Sequence, residues 1–148
     1  MTRRQTMPRQ WMIVDTAADD ASLEAARYGT GILVIGRPGA AQLRRMRLLA
    51  RSRRLAIAIE EDGESARVHN LRELRSALLR GVPLILLSPI FPTRSHPDWP
   101  PIPRMRAAAW ARLANRRLVA LGGMNAQRYA KIASLGFIGW AGISAFRT

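Results

Sequence analysis

Short apolar runs recur along the chain, each closed by glycine, proline or an acid and followed by a longer stretch of helical composition. Trp11-Met12-Ile13-Val14 stops at Asp15, and Ala17 to Tyr28 follows as a helix, with Asp19 or Asp20 as its candidate cap. Ile32 to Ile35 stops at Gly36-Arg37-Pro38-Gly39, ahead of an Arg-rich helix over about Ala40 to Arg53. Leu55 to Ile59 runs into the polar loop Glu60-Glu61-Asp62-Gly63-Glu64-Ser65. Arg67-Val68-His69 is a doubtful, very short strand, and Leu71, Leu74 and Leu78 mark one face of a helix over Leu71 to Leu79, stopped by Gly81. Strands over Leu84 to Leu87, Leu118 to Leu121 and Ile138 to Ala141 then alternate with helices over Arg104 to Asn115 and Asn125 to Leu135.

Strands that are apolar throughout are buried on both faces, which is the mark of a parallel sheet, and their alternation with helices implies right-handed βαβ units. Six strands are clear and the seventh is the doubtful one. An eight-stranded barrel takes about 250 residues, so a chain of 148 residues predicts a reduced TIM-type (β/α) barrel. The expected organisation is a loose basic tail over residues 1–10 and a single barrel-like domain over 11–148. A barrel closed with fewer strands and an open one completed by a second copy in a homo-oligomer both fit this pattern.

Composition removes several classes of chemistry. The chain has no cysteine and two histidines, so it carries no disulfide framework, no thiolate nucleophile and little material for a His-rich metal site. No apolar run approaches the roughly 18 residues of a membrane span, and the Arg-rich start leads into only a four-residue apolar run, Trp11 to Val14. A cytoplasmic protein is the expectation. The net charge of +14 comes almost wholly from arginine, with Lys131 the single lysine. Coding bias in a GC-rich genome explains that ratio more simply than nucleic-acid binding does, because the arginines lie along helical segments without interleaved aromatics.

Two strand-to-loop junctions carry the candidate chemistry. Leu84 to Leu87 opens into Ser88-Pro89-Ile90-Phe91-Pro92-Thr93-Arg94-Ser95-His96-Pro97, and Leu118 to Leu121 opens into Gly122-Gly123-Met124-Asn125. A Gly-Gly pair after a strand lets backbone N–H groups approach an anion, ahead of the positive end of the next helix. A tight turn with a small-residue packing contact is the competing reading. Glu60, Glu61, Asp62 and Glu64 offer carboxylates to a magnesium ion, or form an ordinary solvated turn. Trp99, in His96-Pro97-Asp98-Trp99-Pro100-Pro101, reads as the anchor of a rigid loop rather than a stacking platform.

The first junction resembles the Gly-Pro-hydrophobic-Phe-x-Thr-x-Thr-Lys loop of thiamine phosphate synthases and their TenI-like relatives, and the second their Ile-Gly-Gly-Ile/Met loop. Gly136 to Ala145 resembles their last strand, and Val68-His69-Asn70-Leu71-Arg72-Glu73 their Ser-x-His-Ser-x-Glu-Glu turn. The resemblance covers residues 66–146. It implies that Gly122, Gly123, Ile143 and Ser144 hold the phosphate of a thiazole substrate, while Thr93, Ser95 and His96 serve that substrate and the leaving pyrophosphate. His96 stands where the family has lysine, which weakens the charge; outside the motif it would read as a surface histidine.

The family's Gln-x-Arg-x-Lys loop falls on Ile35 to Gly39 and keeps only Arg37. Its Asn-Asp after the third strand falls near Glu60 to Asp62, so that Glu61 and Asp62 are the candidates for Mg2+. One βα unit after the third strand and the helix beyond Thr148 have no counterpart. The implied activity is transfer of a pyrimidine from its pyrophosphate to a phosphorylated thiazole, with a TenI-like tautomerase or a non-catalytic phosphate binder as the alternative. The tautomerase's histidine, however, falls on Pro89.

Overall fold

The computed structural model describes residues 7–15, 29–94 and 96–142. Seven strands and four helices follow one another as β1 (Gln10–Asp15), β2 (Thr30–Ile35), α1 (Ala40–Arg53), β3 (Ile57–Ile59), β4 (Ser65–Val68), α2 (Leu71–Leu79), β5 (Leu84–Leu87), α3 (Arg104–Ala114), β6 (Leu118–Ala120), α4 (Ala126–Ile132) and β7 (Gly139–Gly142). A 3-10 turn over Ala133–Leu135 continues α4. The helix expected over Ala17 to Tyr28 lies outside the described residues.

All strands are parallel and form one sheet in the order β3-β2-β1-β7-β6-β5-β4. The pairing of β1 with both β2 and β7 wraps the sheet into a nearly closed barrel with helices outside, as expected. The seam lies between β3 and β4, which are consecutive in sequence and are the edge strands. That is where the βα unit was judged to be missing. The doubtful strand is real, and it spans Ser65 to Val68 rather than Arg67 to His69. β1 begins at Gln10, inside the stretch read as a loose tail, and the Arg9 carbonyl accepts the Trp140 N–H at 2.8 Å.

Two-residue alternation sorts side chains into the barrel or under the helices. Trp11, Ile13, Leu33, Leu84, Leu86 and Val119 fill the interior. Met12, Val14, Ile32 and Val34 face outward against Met46 and Ala50 of α1. Ile85, Leu87, Leu118, Ala120 and Trp140 face outward beneath α2, α3 and α4, against Leu74, Ala107 and Ile132. Ser65 and Arg67 are register partners of Leu84 and Leu86, so β4 turns these two polar residues inward and keeps Ala66 and Val68 outward. Close packing requires glycine at position 31, whose α-carbon is covered by the Trp11 indole.

The helices that follow strand ends are capped from their own sequence. Asn70 accepts the Glu73 N–H at 2.9 Å and donates its amide to the Glu73 carboxylate at 3.1 Å, a reciprocal box that starts α2. Asn70→Ala is expected to destabilise the fold by about 1 kcal/mol, read as a lower urea midpoint at unchanged slope. Among the described residues no helix is long and apolar enough to cross a membrane.

Candidate functional site

The carboxyl ends of parallel strands leave backbone and side chains converging on one mouth, where the chemistry of such barrels is carried. At this mouth the loops after β5 and β6 interlock. Ile90 N–H donates to Leu121 O at 3.0 Å and Phe91 N–H to Gly122 O at 3.2 Å. A Cβ on Gly122, whose φ is 97°, would meet Pro89 Cα at 2.8 Å, and one on Gly123, with φ 61°, would run into the Pro92 carbonyl. Both positions therefore demand glycine, by backbone conformation and by space. The Ser88–Pro89 peptide is cis.

Arg128, in the first turn of α4, donates to the Gly123 carbonyl and lies over the Phe91 ring at 5.3 Å. Asn125 caps the same helix by accepting the Arg128 N–H at 2.8 Å. Among the described residues no backbone bond engages the N–H groups of Gly122 and Gly123. The turn thus holds its carbonyls inward, against Phe91 and Arg128, and leaves donors of the kind an anion uses.

The β5 loop continues through Thr93, half-buried, and His96, exposed, then folds back so that Ile102 N–H donates to the Pro89 carbonyl at 2.9 Å. Trp99 N–H donates to the His96 carbonyl at 3.1 Å. The His96 ring stacks on Trp99 with centroids 4.0 Å apart and planes 9° from parallel. His69, which follows β4, also meets Trp99: its ring is 4.9 Å away and nearly perpendicular at 72°. His69 Nδ1 lies 3.2 Å from the Ser88 carbonyl and 3.0 Å from Ser88 Oγ. Nδ1 donates to the carbonyl in one tautomer and accepts from the hydroxyl in the other. Trp99 therefore does more than anchor its loop, since it joins the two histidines of the chain.

Arg37 follows β2, exposed, with four strands in sheet order running from β2 through β1 and β7 to β6. No hydrogen bond or ion pair among the described residues links it to Thr93 or His96. Ser95, Ile143 and Ser144 lie outside the described residues.

Most carboxylates of the acidic loop at the seam are taken up by arginine. Asp62 Oδ2 and Glu64 Oε1 accept from Arg47 Nη2 at 2.8 and 2.9 Å. Glu60 takes a two-point contact from Arg67, Nε to Oε2 and Nη2 to Oε1, both 3.0 Å. Asp62 above all, with Glu64 adding, holds the Arg47 guanidinium above its ordinary range against the opposing effect of burial. Glu61 is exposed and joins none of these ion pairs. Magnesium is held by one or two carboxylates together with substrate oxygens, and three of the four carboxylates of this loop, Glu60, Asp62 and Glu64, are already paired with arginine.

Reading from sequence did not single out Arg128, Arg67 or Ser88. Arg128 was open to detection, since it falls five residues after Gly123 and within the turn that Asn125 caps. The Arg67–Glu60 pair follows only once β4 is known to face Arg67 inward.

Fold and mouth together define a (β/α) barrel protein with an interlocked glycine turn at the ends of β5 and β6. Residues 65–146, more than half of the chain, match the thiamine monophosphate synthase family, and the chain belongs to that family. The fold is similar to that of thiamine phosphate pyrophosphorylase from Pyrococcus furiosus, with a TM-score of 0.73 at 18% identity, covering 95% of this chain and 87% of that one. No curated protein sequence matches the chain.

Proposed function

We propose that the chain is a thiamine phosphate synthase-like protein that binds a phosphorylated thiazole at the junction of the β5 and β6 loops. The interlock of Gly122 and Gly123 with Pro89 to Pro92 carries this reading. The Gly122-Gly123 turn follows β6, the next-to-last strand, and a barrel of this kind holds phosphate in the loops after its last two strands. Among the described residues no backbone bond takes up the turn's N–H donors. From sequence, Ser95, Ile143 and Ser144 supply the remaining donors. In the transfer, the bond between the pyrimidine methylene carbon and the pyrophosphate oxygen breaks. The thiazole nitrogen forms the new carbon–nitrogen bond, and pyrophosphate leaves with the electron pair. Thr93, His96 and Arg37 are the groups offered to that leaving group, since developing negative charge is stabilised best by donors already in place.

A second reading has an observation of its own. Asp62 and Glu64 are held by Arg47, and Glu60 by Arg67. Both facts favour a member that binds only the thiazole phosphate, whether as a tautomerase or without catalysis. Calorimetric titration with the thiazole phosphate, followed by an unreactive pyrimidine pyrophosphate analogue, separates the cases. Binding of both ligands supports the transferase, binding of the thiazole alone supports the second reading, and silence for both removes the assignment of the glycine turn as a phosphate site.

A further inference from the structure

The barrel's seam is bridged by residues 60–64, which separate two edge strands that no ladder joins. Along β3 the backbone alternates in direction. Ala56 C=O accepts from Ile32 N–H at 2.8 Å and Glu60 N–H donates to Val34 C=O at 2.9 Å, so these peptides face β2. The Ile59 peptide faces the opposite way, into the seam, and Ile59 is fully buried. A buried edge peptide needs partners.

Glu64 provides a partner for each, and Asp62 N–H is a second donor to the Ile59 carbonyl at 3.2 Å. The Glu64 N–H donates to Ile59 C=O at 3.1 Å, and its Oε1 accepts Ile59 N–H at 3.1 Å. The same Oε1 is fixed from outside by Arg47 at 2.9 Å, and Arg47 also reaches Asp62 at 2.8 Å. On the β4 side Arg67 grips Glu60, the first residue of the loop, at two points. One residue thus offers β3 the donor and acceptor that a neighbouring strand would have offered, and two arginines, from α1 and β4, hold that residue's loop in place.

We propose that residues 60–64, with Arg47 and Arg67, are a clasp that closes the barrel where a strand is missing, Glu64 standing in for that strand, and that the clasp holds no divalent cation. This goes beyond the reading of the thiazole site and does not depend on it. In this reading Asp62, expected with Glu61 as a metal ligand, spends its negative charge on Arg47, while Glu61 stays outside the ion pairs.

Hydrogen exchange at the Ile59 amide, with thermal unfolding alongside, tests the clasp on the full chain without ligand. In Glu64→Ala, exchange at Ile59 should accelerate by roughly tenfold or more while the amides of β5 and β6 keep their protection. Tm should fall on the order of 5 °C. Glu61→Ala, outside the ion pairs, should match the unaltered protein in both readouts. Millimolar magnesium should leave Tm and Ile59 exchange unchanged. Unaltered Ile59 exchange in Glu64→Ala would overturn the stand-in role. A saturable rise in Tm with magnesium that disappears in Asp62→Asn would restore the cation site and overturn the clasp. If Glu64→Ala does not fold, Glu64→Asp, whose shorter side chain withdraws the carboxylate from Ile59 while keeping the charge, carries the comparison: faster exchange at Ile59 supports the clasp and an unchanged rate opposes it.

Discussion

Gly31→Ala is expected to destabilise the protein by on the order of 3 kcal/mol, at the upper end of the range for overpacked cores, and to lower Tm by about 10 °C. Gly31 and Trp11 are register partners on adjacent strands, and an added methyl would enter the indole ring. The ring cannot step aside. Trp11 is 2% exposed, it is packed among the interior side chains, and its Nε1 donates to the Pro8 carbonyl at 3.1 Å. The strain is specific to this pair, so Trp11→Phe in the Gly31→Ala background should recover part of the loss, giving a less than additive double mutant. Losses that simply add in the double variant would show that the methyl acts elsewhere.

Gly123→Ala is expected to weaken binding of the thiazole phosphate by roughly 10- to 100-fold, the equivalent of about 1.4–2.7 kcal/mol. The methyl would press on the Pro92 carbonyl and come within 2.9 Å of Arg128 Nη1, at a φ of 61° that alanine adopts only with strain. The turn must therefore open away from the β5 loop, taking its N–H donors with it. Met124→Leu, which changes a buried side chain one residue on while keeping hydrophobic volume, should bind as before. Calorimetry on both variants, with circular dichroism to confirm folding, checks the result. A folded Gly123→Ala protein with undiminished affinity would place the phosphate elsewhere.

Much of this architecture was legible because its strands are buried on both faces, and such runs stand out against loops rich in glycine and proline. Leu84 to Leu87 and the helices over Ala40–Arg53 and Leu71–Leu79 have the bounds that pattern predicts. The strand at Ser65–Val68 was faint for a physical reason. Beside the seam its inward positions are Ser65 and Arg67, so it lacks the continuous apolar run of its neighbours. The glycine turn was legible as a candidate because a Gly-Gly pair after a strand has few structural uses.

The fate of the acidic loop was not legible. Asp62 and Glu64 meet Arg47 across 15 and 17 residues of sequence, and only the docking of α1 beside β3 brings them together. The same holds for His69, Trp99 and His96, whose rings meet because the β5 loop folds back on Pro89. Each of these residues has an ordinary surface reading when taken singly.

That ring stack gives the protein a built-in optical reporter. Of the four tryptophans, Trp11 and Trp140 are buried and Trp110 is half-buried, whereas Trp99 is 41% exposed and touches both imidazoles at the mouth. Its emission should be the most red-shifted of the four and the most accessible to iodide. A ligand that displaces the β5 loop would change the contacts of the indole with His96 and His69, so occupancy should be readable by tryptophan fluorescence with no label attached.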